Sequence, residues 1–146
     1  MGTKFLFGLL VALFVSCNSK EIPKNEVKSK IENWARPSAK GQTSGAYFVY
    51  ENKLSVADTL LSIQSPEAAM AQIHESYTTD DGLAGMREMK QIIVQPNKKL
   101  ILKKGGLHVM LMNLKQDLKT SDSVSITLTF SQAGEVKPKL PVLSNN

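Results

Sequence analysis

From Val124 to Phe130 the chain alternates apolar and polar residues one for one, Val-Ser-Ile-Thr-Leu-Thr-Phe. A period of two puts one set of side chains on a buried face and the other in water, which predicts a half-buried β-strand. Similar segments recur after residue 30. Ile31–Trp34 runs up to Pro37, Ala46–Glu51 is rich in aromatic and β-branched residues, Asp58–Gln64 follows, and Ala71–Tyr77 alternates again. Gln91–Val94 and Lys99–Leu102 are short strands on either side of a Pro96-Asn97 turn. Gly105-Gly106 lets the backbone turn with positive φ before the apolar run Leu107–Met112. At the end, Gln132-Ala-Gly134 is a turn and Glu135–Leu143 a returning strand, so that 124–143 reads as a hairpin. Thr78–Gly85 is polar and contains glycine, which predicts a loop with Met86 at or just after it. One segment differs: Ser65-Pro-Glu-Ala-Ala-Met70 offers an N-cap and a proline at the first helical position, predicting a single helical turn. Short strands punctuated by turn residues predict an all-β sandwich or barrel, and about 115 residues of it suffice for one core.

The first residues have another character. A basic start with Lys4, an unbroken apolar run from Phe5 to Val15 and the small Ser16 describe a secretory signal peptide. The run is shorter than the roughly 20 residues of a transmembrane helix. Phe14-Val-Ser-Cys17 resembles the bacterial lipobox, with Phe14 where an aliphatic residue is usual. Cys17 is the chain's single cysteine and is the expected lipidation site. The expected organisation is a lipoprotein signal peptide over residues 1–16, a polar tether over 17–30 and one domain over 31–146. Export, with a lipid anchor at Cys17 in the periplasm or outer envelope, follows from that reading.

Loss of Lys4 with the signal reduces the formal net charge of +5 by one. Lysines 20, 24, 28 and 30 fall in the tether, and Lys98-Lys99 and Lys103-Lys104 read as solvated strand ends. No aromatic residues interleave with these basic ones, which speaks against nucleic-acid binding. A blue-copper electron-transfer centre needs a cysteine thiolate, and a domain that begins after Cys17 has none.

The candidate chemistry lies in both histidines of the chain and two methionines: His74, eleven residues, Met86, twenty-one residues, His108, one residue, Met110. In a strand His108 and Met110 project from one face. Imidazole with thioether is a donor set for a soft cation, above all Cu(I), whereas thioethers bind Zn(II), Mg(II) and Ca(II) poorly. A methionine is ordinarily core filler. Met70 and Met89 read that way, and Met112, which continues the face of Met110, packs or rims the site. Two other readings compete: a hydrolase with His74 or His108 as general base, for which no Ser-His-carboxylate pattern is visible, and a structural or adhesive envelope lipoprotein without metal.

The spacing, with Trp34-Ala-Arg36, Gly45-Ala-Tyr47, Gly85-Met-Arg-Glu-Met89, Gly105-Gly-Leu-His-Val-Met-Leu111 and Leu128-Thr-Phe130, resembles the periplasmic copper chaperones of the PCuAC type over residues 31–142. Glu75 stands at that signature's optional methionine, and the tail Lys137–Asn146 carries no His or Met. The resemblance implies a cupredoxin-like Greek-key β-sandwich that binds one Cu(I) through His74, Met86, His108 and Met110. It implies a monomeric carrier rather than an enzyme. Its partners would be copper-receiving proteins, a Sco-type protein or a cytochrome c oxidase subunit, reached by ligand exchange during oxidase assembly.

Overall fold

The computed structural model describes residues 1–2 and 33–144; Cys17, the tether lysines and Ile31 lie outside the described residues. Among the described residues there are twelve strands and no helix: β1 (Trp34–Ala35), β2 (Ser44–Glu51), β3 (Asp58–Gln64), β4 (Ala68–Thr78), β5 (Ala84–Glu88), β6 (Ile92–Val94), β7 (Lys99–Leu102), β8 (Leu107–Leu114), β9 (Ser123–Ser125), β10 (Thr127–Phe130), β11 (Gly134–Val136) and β12 (Lys139–Pro141). The all-β class expected from the alternation is the class observed.

One sheet has the order β1-β2-β8-β4-β5, and β7 also pairs with β2. That is possible because β2 divides its length: Ser44–Ala46 face β8, and Phe48–Glu51 face β7. A second sheet has the order β11-β10-β3-β6, and β9 with β12 makes a two-stranded ribbon. The core comes from alternate residues of both sheets, among them Ala46, Phe48, Ile73, Val109 and Leu111 on the first and Leu60, Leu128 and Phe130 on the second. Tyr50 and Phe130 stack between the sheets with ring centroids 4.2 Å apart.

Two local expectations are corrected. Residues 65–70 form no helical turn. A single Ala68 N–H to Ser65 O bond of 3.4 Å closes a turn, and β4 begins at Ala68 because β8 offers a paired ladder there. A lone helical turn fixes several dihedrals for one bond, so the ladder wins. The strand over 124–130 is divided at Ile126, whose N–H donates to Pro138 O. β9 then pairs with β12, while β10 pairs with β11 and β3. The Pro96-Asn97 turn does lie between two short strands, β6 and β7, which take different partners, β3 and β2.

Two buried polar side chains hold the connections. Asn52 Nδ2 donates to the carbonyls of Val56 and Val94, each at 2.9 Å, and its Oδ1 accepts the Leu54 N–H at 3.0 Å. Asp58 accepts the backbone N–H groups of Thr59, Gln132 and Ala133 and the Ser131 hydroxyl at 2.8–3.0 Å. Both side chains are fully buried, and each consumes donors or acceptors that a loop would otherwise leave unpaired.

Candidate metal centre

On β4 and β8 the odd-numbered residues Ile73, Val109 and Leu111 enter the core, so their even-numbered neighbours stand on the sheet's outer face. The antiparallel register sets His74 opposite His108 and Gln72 opposite Met110. On the other side of β4, Met86 of β5 lies opposite Ser76, and Glu88 lies opposite His74. Gly45 of β2 lies opposite Met110. Residues from three segments of the sequence thus share one face of three adjoining strands, β5, β4 and β8.

A cleft of about 200 Å³ is lined by Met86, His108 and Met110 together with Arg36, Tyr47 and Lys104. His74 is not among the lining residues; its ring stands beside that of His108, with centroids 6.2 Å apart. Two imidazoles on one ion, each bonded at about 2 Å, have centroids at most about 6.4 Å apart, so the observed pair is within reach of a shared cation. His108 is buried and Met110 half-buried, while Met86 is 49% exposed.

Hydrogen bonds fix the imidazole lone pairs. His108 Nδ1–H donates to Gly106 O at 2.9 Å, which leaves Nε2 as the unprotonated nitrogen. His74 Nε2–H donates to Gln72 Oε1 at 3.0 Å, which leaves Nδ1 with the lone pair. His74 Nδ1 is buried and has no hydrogen-bond partner. A buried polar atom without a partner is costly, and this nitrogen keeps its lone pair free for a ligand. Burial lowers the His74 pKa below the ordinary histidine value, the neighbouring His108 adds to the lowering, and Glu88 partly opposes it. The ring is therefore poised to be neutral, as a ligand must be.

The donors fit a soft monovalent ion better than a hard divalent one. Among the described residues no three His, Cys, Asp or Glu side chains converge. Glu88 also stands on this face, opposite His74, and the sulfur donors beside it are thioethers, which carry no charge and do not titrate.

Several features were not legible beforehand. Met86 is the middle residue of edge strand β5 and does not follow a loop; the connecting turn is confined to residues 79–83. Glu75, beside His74 in sequence, points to the opposite face and pairs with Arg87, Oε2 to Nη2 at 2.6 Å. Met70, expected in the core, is 54% exposed, because β4 begins early enough for the alternation to put it on the His74 face. Met89 does pack against the core. Tyr47, whose ring lies 4.7 Å from Trp34 and 6.5 Å from His108, and Gln72, which orients His74, carry no mark of a role in the local pattern. The position of Gln72, two residues before His74 in an alternating segment, is the signal that would have found it.

A family model described as "Putative lipoprotein LpqE-like" matches residues 30–142. The chain is 31% identical over 110 residues to "Putative lipoprotein Lxx21020" of Leifsonia xyli subsp. xyli, a match covering 75% of this chain and 65% of that protein. It therefore spans just under two thirds of that relative's length. Among solved structures, the apo PCuAC domain from PmoF1 aligns with a TM-score of 0.64 and 25% identity over 78% of this chain and 92% of that one. The Cu(I) form of DR1885 from Deinococcus radiodurans aligns with a TM-score of 0.58 and 25% identity, covering 88% and 84%. With the family matched over nearly the whole described domain and the same sandwich in these neighbours, the chain belongs to the LpqE-like family and has the fold of the PCuAC copper-chaperone domains.

Proposed function

We propose that this protein is a Cu(I) carrier of the cell envelope, that His74, Met86, His108 and Met110 are its ligands, and that it passes the ion on by ligand exchange. The observation that supports this most is the orphan Nδ1 of His74, buried beside His108 on a face that also presents two thioethers. Gln72 and the Gly106 carbonyl act as outer partners, holding each ring in the tautomer that leaves a lone pair free. The structural neighbour from Deinococcus radiodurans was solved with Cu(I), which supports the choice of ion.

The ion is cargo. No bond of a substrate is made or broken, which distinguishes a carrier from a hydrolase. Met86 is the most exposed of the four and stands on an edge strand, so it is the ligand that leaves first when a partner thiolate or thioether arrives. His108, buried and anchored at Gly106, is released after Met86. We assign delivery to oxidase assembly, through a Sco-type protein or an oxidase subunit. Cys17 is the lipid anchor in this reading.

A Cu(I) titration of the purified protein against a competing chelator, under reducing conditions, tests the reading. One equivalent is expected, abolished by His108→Ala with Met110→Leu while the far-UV spectrum stays unchanged. Wild-type protein that retains no copper overturns it. Labelled palmitate incorporated by the wild type and not by Cys17→Ser tests the anchor separately.

A further inference from the structure

The outer face of the β4–β8 pair continues beyond the four ligands proposed above. One row further along, Met70 of β4 lies directly opposite Met112 of β8, and Met110 precedes Met112 by two residues on the same face. Directly opposed residues of an antiparallel pair have Cβ atoms about 4.5–5.5 Å apart, and residues two apart on a strand are about 7 Å apart. Methionine has three rotatable bonds beyond Cα, so the three sulfurs can converge on a point above the sheet.

The hydrophobic core does not account for this trio. Met70 is 54% exposed, and neither Met70 nor Met112 is among the side chains packed against the core, whereas Met89 is. Exposed methionine gains little from the hydrophobic effect, and strands prefer β-branched or aromatic residues at such positions. Three thioethers outside the apolar core, next to a donor set for a soft cation, have a common chemistry.

We propose that Met70 and Met112, completed by Met110, form a second and weaker thioether site for Cu(I), joined to the first by the shared Met110. The transfer step rests on the Cu(I) reading given above; the three-thioether corner itself binds a soft monovalent cation whether or not the histidines do. Cu(I) has a filled d shell and accepts low coordination numbers with polarizable sulfur. Met110 keeps its hold as the imidazoles let go, and the ion moves one row along the strands. Because the second site contains no imidazole, protons do not compete for it.

The test uses the full chain with ¹³C-methyl methionine, titrated with Ag(I) as a redox-inert probe and then with Cu(I) under reducing conditions. In His74→Ala/His108→Ala protein, Ag(I) is expected to shift the ε-methyl signals of Met70, Met110 and Met112 together, with an affinity unchanged between pH 7 and pH 5. Adding Met70→Leu/Met112→Leu abolishes that binding. In the wild type, Met86 and Met110 move with the first equivalent, and Met70 and Met112 with excess metal. The proposal is overturned if the Met70 and Met112 methyls stay in place at excess Ag(I), or if binding survives their replacement. Should the histidine double variant fail to fold, the wild-type titration decides by the same criterion. Failure of the primary reading has a different signature: Met70 and Met112 move while Met86 does not.

Discussion

His74 combines a buried, unpartnered nitrogen with a lowered pKa, and the two have one origin in its place on β4. Burial favours the neutral ring, so between its folded pKa and the unfolded value of about 6.5 the folded state holds fewer protons than the unfolded chain. Stability from this residue is therefore complete above about pH 6.5 and lost as the pH falls through that window. The apo-protein melting temperature should drop on acidification from pH 7 to 5, and His74→Gln should flatten that dependence. Met86 invites a second test, being the most exposed of the proposed ligands. Met86→Leu should weaken Cu(I) at least about tenfold, about 1.4 kcal/mol, in a chelator competition. Mild peroxide should oxidise Met86 before Met110, with copper loss following sulfoxide formation by mass spectrometry. At this scale the shared face of His108 and Met110 was legible, because a strand repeats every two residues. The pairing of His74 with His108 was not, because register between distant strands is set by the whole sheet.

The β4–β5 hairpin is the element on which the proposed hand-over depends. β5 is an edge strand paired only with β4, and four of its five residues are exposed. Gly85 is there for close approach, without a left-handed φ: a Cβ at that position would meet the ring of Tyr77 on the facing strand. Arg87 lies over that ring at 5.3 Å and pairs with Glu75. Tyr77 thus clamps the hairpin on the face opposite the donors. Removing it by Tyr77→Ala should cost about 0.5–1 kcal/mol from the lost cation–π contact, with faster amide exchange in β5 than in β8 and faster copper release. Residues 84–86 as protected as the centre of β8 would remove Met86 from the role of leaving ligand. The sequence placed a strand at Ala71–Tyr77 but began it three residues late, and that single error put Met70 in the core.

For the molecule as a whole, Asp58 is the buried charge that ties β3 to the turn after β10. Burial alone would raise its pKa. The N–H groups of Ala133 and Gln132, the Ser131 hydroxyl and the Thr59 N–H outweigh that and hold the carboxyl below its ordinary value. A depressed carboxylate stabilises the fold fully above the unfolded pKa of about 3.9, and the contribution disappears as the pH falls through the lower folded value. Asp58→Asn should lower the melting temperature at neutral pH and remove part of its decline between pH 4 and pH 2. This anchor sits far from the donor face, so Cu(I) stoichiometry in the variant should remain one at pH 7.

Alternation along the chain determined the all-β class, most of the strands and the common face of His108 and Met110, because period-two patterning is a local property of neighbouring residues. The ligand spacing, through its resemblance to a known family, named the four candidates. Tertiary structure decided what local pattern cannot carry. It decided which strand lies beside which, that β2 serves two partners, and that the 124–130 strand divides between a sheet and a ribbon. It also decided that Gln72 and Gly106 free one nitrogen on each histidine, and that Met70 stands beside Met112. Each of these depends on cross-strand register, which depends on how both sheets bury their apolar faces together.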